Sequence, residues 1–287
     1  MSAPVAGDAV AVLASRVGVE EKRILTELQR RGVSCEQVDV RTLWTDTRAP
    51  AGRWRLAINR EIGFYRSVHT ARALQAQGVR VCNSAEATEV CGDKWRSALA
   101  FDRAGLPTPR TVLALSPDAA LDALDAIGYP AVLKPLVGSW GRMVAFVPDR
   151  RTGRTLLEYV AALPHPQSRV VCVQEYIGGG RELRVLVAGG EPVAAMWRRG
   201  ADWRGNVALG GRGTYCEPSA DAATTAVAAA DCVGADIAGV DLIETDDGGV
   251  RVLEVNHRVE FAGLQAAAAD RVDVAARLVD HVLREVR

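Results

Sequence analysis

Short apolar segments alternate with longer segments of helical periodicity along the first part of the chain. Apolar runs at 9–14, 35–40, 56–59 and 79–82 predict strands, whereas the apolar spacing over 20–32 and 68–78 predicts helices. Strands and helices in alternation favour a small, mostly parallel α/β sheet. We therefore expect an N-terminal α/β domain over residues 1–84.

Beyond residue 84 the same patterns predict helices and strands in mixed order. Helices are expected after Ser84, a suitable N-cap, and over 94–104, 117–127, 152–162, 220–234 and 272–286. Strands are expected over 110–115, 129–135, 143–147 and 169–175. Glycines that follow Glu175 indicate a hinge, so we expect a central lobe over 85–173 and a C-terminal lobe over 174–287. The predicted fold class is α/β with α+β elements.

The composition is that of a globular protein with enough apolar residues for extensive cores. Of 287 residues, 48% are hydrophobic and 24% are charged, and 35 Lys and Arg balance 35 Asp and Glu. This excludes a disordered chain, and without a strong positive charge we expect no nucleic-acid partner. No apolar stretch predicts a membrane span and no secretion signal is evident, so we expect a cytoplasmic protein without a membrane partner. Six cysteines without metal-ligand spacing predict small buried side chains.

Residues 238–256 have the pattern of a β-hairpin with acidic side chains on one face. Two strands rich in β-branched residues flank Asp247–Gly248, a dipeptide that favours a two-residue type I′ turn. In that register Asn256 shares the face of the two acids. The predicted cross-strand pairs are Asp241 with Glu254, Val240 with Val255, Leu242 with Leu253 and Glu244 with Arg251.

Two carboxylates directly opposite one another destabilise a hairpin unless a positive charge lies between them. Asp241, Glu254 and Asn256 offer oxygen ligands with neither sulfur nor a histidine pair, which suits Mg²⁺. Alternatively, the acids form a solvated face that Arg251 or another base neutralises. A three-residue turn would shift the register by one residue and separate the acids. Alternation places His257 on the face opposite Asn256, which favours a packing role.

Other segments carry chemistry that suits a polyphosphate. Gly138–Arg142 is a loop between two strands, and its backbone N–H groups can fold over phosphates because glycine permits close approach. Lys134 ends an apolar strand, where its ammonium group needs a partner such as a phosphate. Each feature alone also fits an ordinary turn or a solvated surface. Together with the arginines, the glycine hinge and the acidic hairpin, they indicate nucleotide-dependent phosphoryl transfer.

The order of these motifs resembles the ATP-grasp superfamily, and more narrowly the LysX branch of the RimK-like ligases. The resemblance runs from the first strand to the last helix. It implies an ATP-grasp fold, in which a small N-terminal domain precedes two lobes that clasp ATP and Mg²⁺. The segments that carry it are Glu89–Trp95, Gly105–Pro107, Gly128–Pro135, Gly138–Arg142, Gln174–Ile177, Arg198–Arg199, Gly239–Leu242, Glu254–His257 and Glu260–Phe261.

The resemblance also implies roles for particular residues. Lys94 and Lys134 would contact the ATP phosphates, with Lys134 also near the adenine. Glu182 would bind the ribose hydroxyls, where RimK-like proteins usually have Asp. The lid would consist of Gly138, Ser139, Trp140, Gly141 and Arg142, and the adenine hinge of Gln174, Glu175, Tyr176 and Ile177. Arg184 and Arg199 would face the transferring phosphate, Asn206 would lie beside the γ-phosphate, and Asp241, Glu254 and Asn256 would hold Mg²⁺.

The implied reaction joins a free amino acid to the C-terminal glutamate of a small, acidic, LysW-like amino-group carrier protein in amino-acid biosynthesis. Relatives imply a homodimer or homotetramer. Val207, after Asn206, departs from the enzymes that accept α-aminoadipate, and the Gly-Phe pair of the glutamate type is absent, so the amino acid stays open. One alternative is a RimK-like ligase that adds glutamate to another protein tail or to a small-molecule cofactor. Another is a nucleotide-binding regulatory subunit without catalysis.

Overall fold

The computed structural model describes residues 7, 9–48, 53–138, 141–178, 180–200 and 212–284, and of Arg212 only the backbone. Within these ranges the chain forms a parallel sheet followed by two antiparallel sheets. The predicted α/β class with α+β elements is confirmed. The proposed boundaries at residues 84 and 173 stay predictions.

The first sheet has the order β2-β1-β3-β4, and all of its pairs are parallel. Its strands are β1 (Val10–Leu13), β2 (Cys35–Val38), β3 (Leu56–Asn59) and β4 (Arg80–Cys82), connected through α1 (Val19–Arg30) and α2 (Phe64–Ala76). A short 3-10 helix, Val40–Thr42, follows β2. β1 and β3 are buried along their whole length, as expected of parallel strands covered on both faces.

Two helices follow the first sheet, α3 (Ala85–Gly92) and α4 (Lys94–Arg103). Ser84 Oγ accepts a hydrogen bond from the Ala87 N–H at 3.1 Å, which confirms the predicted N-cap. Asp93 accepts from the N–H groups of the two residues after Lys94 and thereby fixes the start of α4. Both helices bury their apolar side chains against the third sheet.

The second sheet has the order β5-β8-β6-β7, with antiparallel pairs throughout. Leu124, Leu157 and Val173 belong to the core beneath it. Its elements are β5 (Thr111–Ala114), α5 (Pro117–Ile127), β6 (Ala131–Pro135), β7 (Ala145–Val147), α6 (Arg150–Ala161), the 3-10 helix Pro166–Arg169 and β8 (Val171–Glu175). Each predicted strand and helix of this segment is present.

The third sheet has the order β11-β10-β9-β12-β13 and is antiparallel. Its elements are β9 (Glu182–Ala188), β10 (Glu191–Arg199), β11 (Arg212–Cys216), α7 (Ala220–Cys232), β12 (Ile237–Glu244) and β13 (Val250–Asn256). The chain then forms α8 (Ala262–Ala268) and α9 (Val274–Arg284). α9 returns to the N-terminal part, where Leu278 and Val282 share a core with Ile24 and Leu28 of α1.

The β12–β13 hairpin differs from its predicted form in two places. Its loop has three residues, because the Thr245 N–H donates to the Gly249 carbonyl and Gly248 takes the positive φ of 82° that such a loop requires. A β-bulge between Asp241 and Leu242 then restores the register. Asp241 therefore lies opposite Glu254 and Val240 opposite Val255, as predicted. The predicted pairs of Leu242 with Leu253 and of Glu244 with Arg251 are wrong, since Leu242 pairs with Val252 and Glu244 with Val250.

Two sequence predictions concern the chain as a whole. None of the helices in the described ranges is both long enough and apolar enough to cross a membrane. All six cysteines are free, and Cys82, Cys91 and Cys172 are buried as predicted. The others are partly exposed.

Candidate functional site

A cleft of about 610 Å³ receives side chains from all three sheets or from the segments directly after their strands. Most of the predicted site residues lie in its wall, although they come from distant parts of the sequence. Ser139, Trp140 and Asn206 lie outside the described residues. The predicted residues that line the cleft are Lys94, Lys134, Gly138, Gly141, Arg142, Gln174, Glu175, Tyr176, Ile177, Glu182, Arg184, Asp241, Glu254 and Asn256.

Asp241, on β12, is 5% exposed and is held by two arginines. Its Oδ2 accepts a hydrogen bond from Arg184 Nη2 at 2.8 Å, and its Oδ1 lies 2.9 Å from Arg198 Nη2. Burial alone raises the pKa of Asp241, but the two arginine charges outweigh it and leave the pKa below the usual range of an aspartate. Asp241 is therefore an ionised, buried carboxylate and not part of a solvated face.

Arg198, and not Arg199, reaches the cleft from β10. Arg198 is 8% exposed, and its Nη2 also donates to Glu182 Oε2 at 2.9 Å. Arg199 is exposed and is not among the described residues of the cleft wall. Successive side chains of a strand point to opposite faces, so only one of two adjacent arginines can reach the site. The predicted role of Arg199 beside the transferring phosphate has no support from this placement.

Glu254 links the acidic hairpin to the lysines. Its Oε1 lies 3.5 Å from Lys94 Nζ, which also donates to the Gly138 carbonyl at 2.9 Å. Lys94 therefore connects the hairpin to the first residue of the predicted lid. Lys134 Nζ donates to Gln174 Oε1, and burial lowers the pKa of Lys134, against the opposing effect of Glu254.

The bulge in β13 gives the cleft two adjacent side chains. Leu253 and Glu254 both line it, although strict alternation would turn one of them away. The predicted pair of Leu253 with Leu242 therefore does not form. An apolar side chain, Leu253, and an acidic one, Glu254, thus lie next to each other in the wall of the cleft.

Apolar and aromatic groups line the cleft beside the segment that follows β8. The rings of Phe146 and Tyr176 meet edge to face with centroids 4.9 Å apart. The Glu175 N–H donates to the Arg110 carbonyl at 2.9 Å, so the start of this segment is fixed to the second sheet. The apolar side chains Val132, Ile243 and Leu253 contribute to the same wall. Such a wall with polar edges suits a flat heteroaromatic ring.

Residues that follow the first sheet and β13 complete the wall. Arg258 Nε donates to the Arg60 carbonyl at 2.7 Å, and Arg258 Nη2 donates to Glu21 Oε1 at 3.1 Å. Glu21 has no exposed surface. His257 lines the cleft, and burial lowers the pKa of His257 to about 4, so its imidazole is neutral at pH 7. Sequence reasoning gave no role to these N-terminal contacts, because none of them is local in sequence.

The side chains of the hairpin fit a divalent cation with a polyphosphate. In the described part of the chain no three His, Cys, Asp or Glu side chains form a ready metal cluster, so the Asn256 amide is needed as the third oxygen ligand. Asn256 Nδ2 lies 3.3 Å from Asp241 Oδ2, which places amide and carboxylate side by side. Two carboxylates and an amide oxygen are hard ligands of the type that Mg²⁺ takes when phosphates and water complete its shell. The cations Arg184, Arg198, Lys94 and Lys134 surround the acids, as an incoming polyphosphate requires.

Comparison with known proteins agrees with this geometry. A model of the RimK-like ATP-grasp domain matches residues 91–282, and a model of the LysX preATP-grasp domain matches residues 10–90. The chain is 33% identical over 276 residues to glutamate–LysW ligase ArgX of Sulfurisphaera tokodaii, covering 95% of this chain and 97% of the relative. It is 30% identical over 199 residues to α-aminoadipate–LysW ligase LysX of Sulfolobus acidocaldarius, covering 67% and 72%. A solved RimK-domain ATP-grasp protein of Sphaerobacter thermophilus superposes with a TM-score of 0.78 at 27% identity, covering 96% of this chain and 99% of that one.

The fold and the cleft define an ATP-grasp ligase, an enzyme that uses ATP with Mg²⁺. Within that class the chain belongs to the RimK-like ATP-grasp family and carries a LysX-type preATP-grasp domain. The predicted family, fold, enzyme class and cofactors are confirmed. The roles of single residues stay predictions.

Proposed function

We propose that this ligase joins the α-amino group of an amino acid to the side-chain carboxylate of the C-terminal glutamate of a small, acidic, LysW-like carrier protein. ATP transfers its γ-phosphoryl group to the carboxylate to form an acyl phosphate. The amine then attacks the acyl carbon, phosphate leaves, and the ammonium proton passes to solvent. The products are an isopeptide, ADP and phosphate.

The observation that carries the ligase chemistry is the convergence of Asp241, Glu254 and Asn256 with four cations in one cleft. Phosphoryl transfer needs positioning and charge neutralisation more than covalent help from the protein. Lys94 and Arg184 each contact an acid of the hairpin, so both lie where phosphate oxygens approach the ligands of a cation. Bound Mg²⁺ would neutralise charge that develops on the phosphates.

The proposed roles follow from these positions. Arg184 and Arg198 orient the transferring phosphoryl group, Lys94 and Lys134 hold the phosphates, and Glu182 binds the ribose. The segment Gln174–Ile177 holds the adenine ring. The loop around Gly138–Arg142 excludes water from the acyl phosphate, which water would otherwise hydrolyse.

The carrier is proposed from relatives that span nearly the whole chain, because the ArgX relative is named for LysW and glutamate. The amino acid is glutamate, α-aminoadipate or a related one, and the pathway is amino-acid biosynthesis of the lysine or arginine type, or a specialised one. We further propose a cytoplasmic homodimer or homotetramer.

A second candidate keeps the enzyme class and changes the acceptor. The chain is 36% identical over 155 residues to tetrahydromethanopterin:α-L-glutamate ligase of Methanosarcina acetivorans, although this match covers only 50% of the chain. In that case glutamate is added to a small-molecule cofactor or to another protein tail.

The test is an acceptor assay with intact-mass detection. The protein is incubated with Mg·ATP, the LysW carrier of Sulfurisphaera tokodaii, and either glutamate, α-aminoadipate or a panel of other amino acids. A carrier mass gain of one amino acid minus water, with ADP in equal amount, supports the proposal and identifies the substrate. ADP formation without a mass gain favours the second candidate, and no ADP with any acceptor would indicate a regulatory subunit.

A further inference from the structure

A small cavity of about 20 Å³ is lined by His257, which also lines the main cleft. It is bounded by residues of the first sheet, of the β12–β13 hairpin and of α9. Its volume corresponds to roughly one water molecule, which needs about 10–15 Å³. The residues that enclose it are Ile24, Ile58, Asn59, Arg60, Cys82, Asn83, Ile237, His257, Leu278, Val279 and Val282.

Arg60 and His257, which both enclose this cavity, each carry a buried polar atom without a hydrogen-bond partner among the described residues. Arg60 is 4% exposed; its Nε donates to Glu21 Oε1 at 3.0 Å and its Nη1 to the Val259 carbonyl at 2.8 Å. Within the described residues, Arg60 Nη2 and His257 Nδ1 are buried and have no such contact. A buried polar group without a partner destabilises a fold, so such groups are nearly always satisfied by protein or by ordered water.

The two atoms are complementary to a single water molecule. Arg60 Nη2 can only donate, whereas His257 Nδ1 can accept when its neutral imidazole carries the hydrogen on Nε2. We propose that one water molecule occupies the cavity, accepts from Arg60 Nη2 and donates to His257 Nδ1. The imidazole is thereby the Nε2–H tautomer and is tied to the N-terminal sheet.

This bridge makes His257 a positioning residue for the cleft. Its two sequence neighbours, Asn256 and Arg258, both line the cleft. Its own carbonyl accepts a hydrogen bond from Asn83 Nδ2 at 2.7 Å. Asn83 thus holds the backbone of His257, and the water on Arg60 holds its side chain. Because Asn256 directly precedes His257, the orientation of the Asn256 amide depends on both contacts.

The water itself is tested without any substrate. A high-resolution crystal structure of the whole protein is expected to show one water within hydrogen-bond distance of Arg60 Nη2 and His257 Nδ1. ¹⁵N NMR of the histidine rings is expected to report the Nε2–H tautomer for His257, with a hydrogen-bonded Nδ1. A dry cavity, or either atom paired with a protein group instead, would overturn the proposal.

The positioning role is tested with His257→Asn, which keeps an acceptor near Nδ1, and His257→Leu, which removes it. His257→Leu is expected to raise the Mg²⁺ concentration for half-maximal ADP formation about tenfold, with a smaller change in kcat, because the hydrogen bond from the water to Nδ1 is lost. His257→Asn should stay within about twofold of the parent. His69→Asn, at an exposed position on α2, is the control.

Equal defects in His257→Asn and His257→Leu, with an unchanged control, would overturn the positioning role. Circular dichroism shows whether His257→Leu folds. If it does not, the crystal structure still tests for the water, and His257→Asn still tests the positioning role. The kinetic arm rests on the proposed ATP-dependent activity, whereas detection of the water does not. Failure of one is therefore distinguishable from failure of the other.

Discussion

Of the two acids predicted to hold Mg²⁺, Glu254 can be altered with less effect on packing than Asp241. Its side chain is 34% exposed, whereas that of Asp241 is 7% exposed and lies between the buried Arg198 and the largely buried side chain of Arg184. Removal of one partner from a buried ion pair commonly costs about 3–5 kcal/mol. An inactive Asp241 variant would therefore mix chemistry with unfolding, and Glu254 gives the clearer test.

Glu254→Gln is expected to lower kcat for ADP formation by about 100-fold, because it removes a charge at the point where the phosphates are neutralised. Thermal unfolding should change little. Glu244→Gln is the matched control, because Glu244 lies on the same hairpin but pairs with the exposed Arg181 at 2.7 Å. Parent-like turnover in Glu254→Gln would contradict the metal assignment.

Gly239 allows Arg184 to lie against the hairpin. A Cβ at this position would be 2.7 Å from Arg184 Nη1 and 2.7 Å from Val259 Cγ2. Gly239→Ala is expected to displace the guanidinium from Asp241, to lower kcat at least about tenfold, and to destabilise the fold by about 1–3 kcal/mol. Steady-state kinetics and urea unfolding measure the two effects. Gly249→Ala in the same hairpin, where a Cβ meets only two side-chain oxygens at 3.3 and 3.4 Å, should leave kcat intact.

At the residue scale the sequence predicts which types of side chain the site contains, but not always which position in the chain supplies each of them. Two adjacent arginines, Arg198 and Arg199, are equally suited to a phosphate by composition. Only the register of β10 against β9, which pairs Arg198 with Glu182, decides which one reaches the cleft. Gly239 could not be recognised from the sequence as a site residue. It acts by having no side chain, which leaves room for Arg184 of another strand.

In the β12–β13 hairpin the predicted pairing of the two acids is correct, but the turn from which it was predicted is not the turn that forms. The facing acids were predicted from a two-residue turn, and they face each other although the turn has three residues. The bulge at β13 compensates for the longer loop. Strand propensity and the Asp-Gly dipeptide predict a hairpin, but they do not predict that β13 accommodates one extra residue as a bulge.

Asn83 holds the open end of this hairpin. It is 2% exposed, and its Nδ2 donates to the carbonyls of Ile237 and His257 at 2.6 and 2.7 Å. Asn83→Ala is expected to lower the free energy of unfolding by about 3 kcal/mol, since it leaves buried carbonyls without a donor. Urea denaturation measures the change, with Asn83→Asp as a shape-matched variant that also lacks the donor. A loss below about 0.5 kcal/mol in both would show that the hairpin does not depend on this contact.

The cleft is a property of the whole molecule, because its wall draws on all three sheets. Local patterns predict the strands and helices of each part, but not that α3 and α4 bury against the third sheet or that α9 returns to α1. These contacts join residues far apart in sequence, and no local periodicity encodes them. α8 was also missed, since an alanine-rich segment of seven residues has too few apolar positions for a helical pattern.

The ion pairs of Glu27 with Arg30 and Arg31, at the C-terminal end of α1, are expected to make stability depend on pH. Hydrogen bonds from Arg30 and Arg31 lower the pKa of Glu27 to about 2 from 4.5, and Arg31 also pairs with Asp280 of α9. Between these pH values the unfolded chain binds more protons than the folded one, so stability falls as the pH decreases from about 4.5 to about 2. Glu27→Gln should reduce this slope in urea unfolding measured across that range. Glu158→Gln, at an exposed position of α6, should not, and equal slopes in all three proteins would rule out the contribution.

The bulge in β13 also bears on how such a site is acquired. A regular strand offers every second residue to one face, so an acid in a cleft wall normally has neighbours that point away from it. One additional residue, equivalent to the insertion of a single codon, suffices to bring Leu253 onto the face of Glu254. The pair Asp241–Glu254 keeps its register, while the wall gains an apolar surface beside it. A lineage can therefore change the shape of the pocket without relocating the acids.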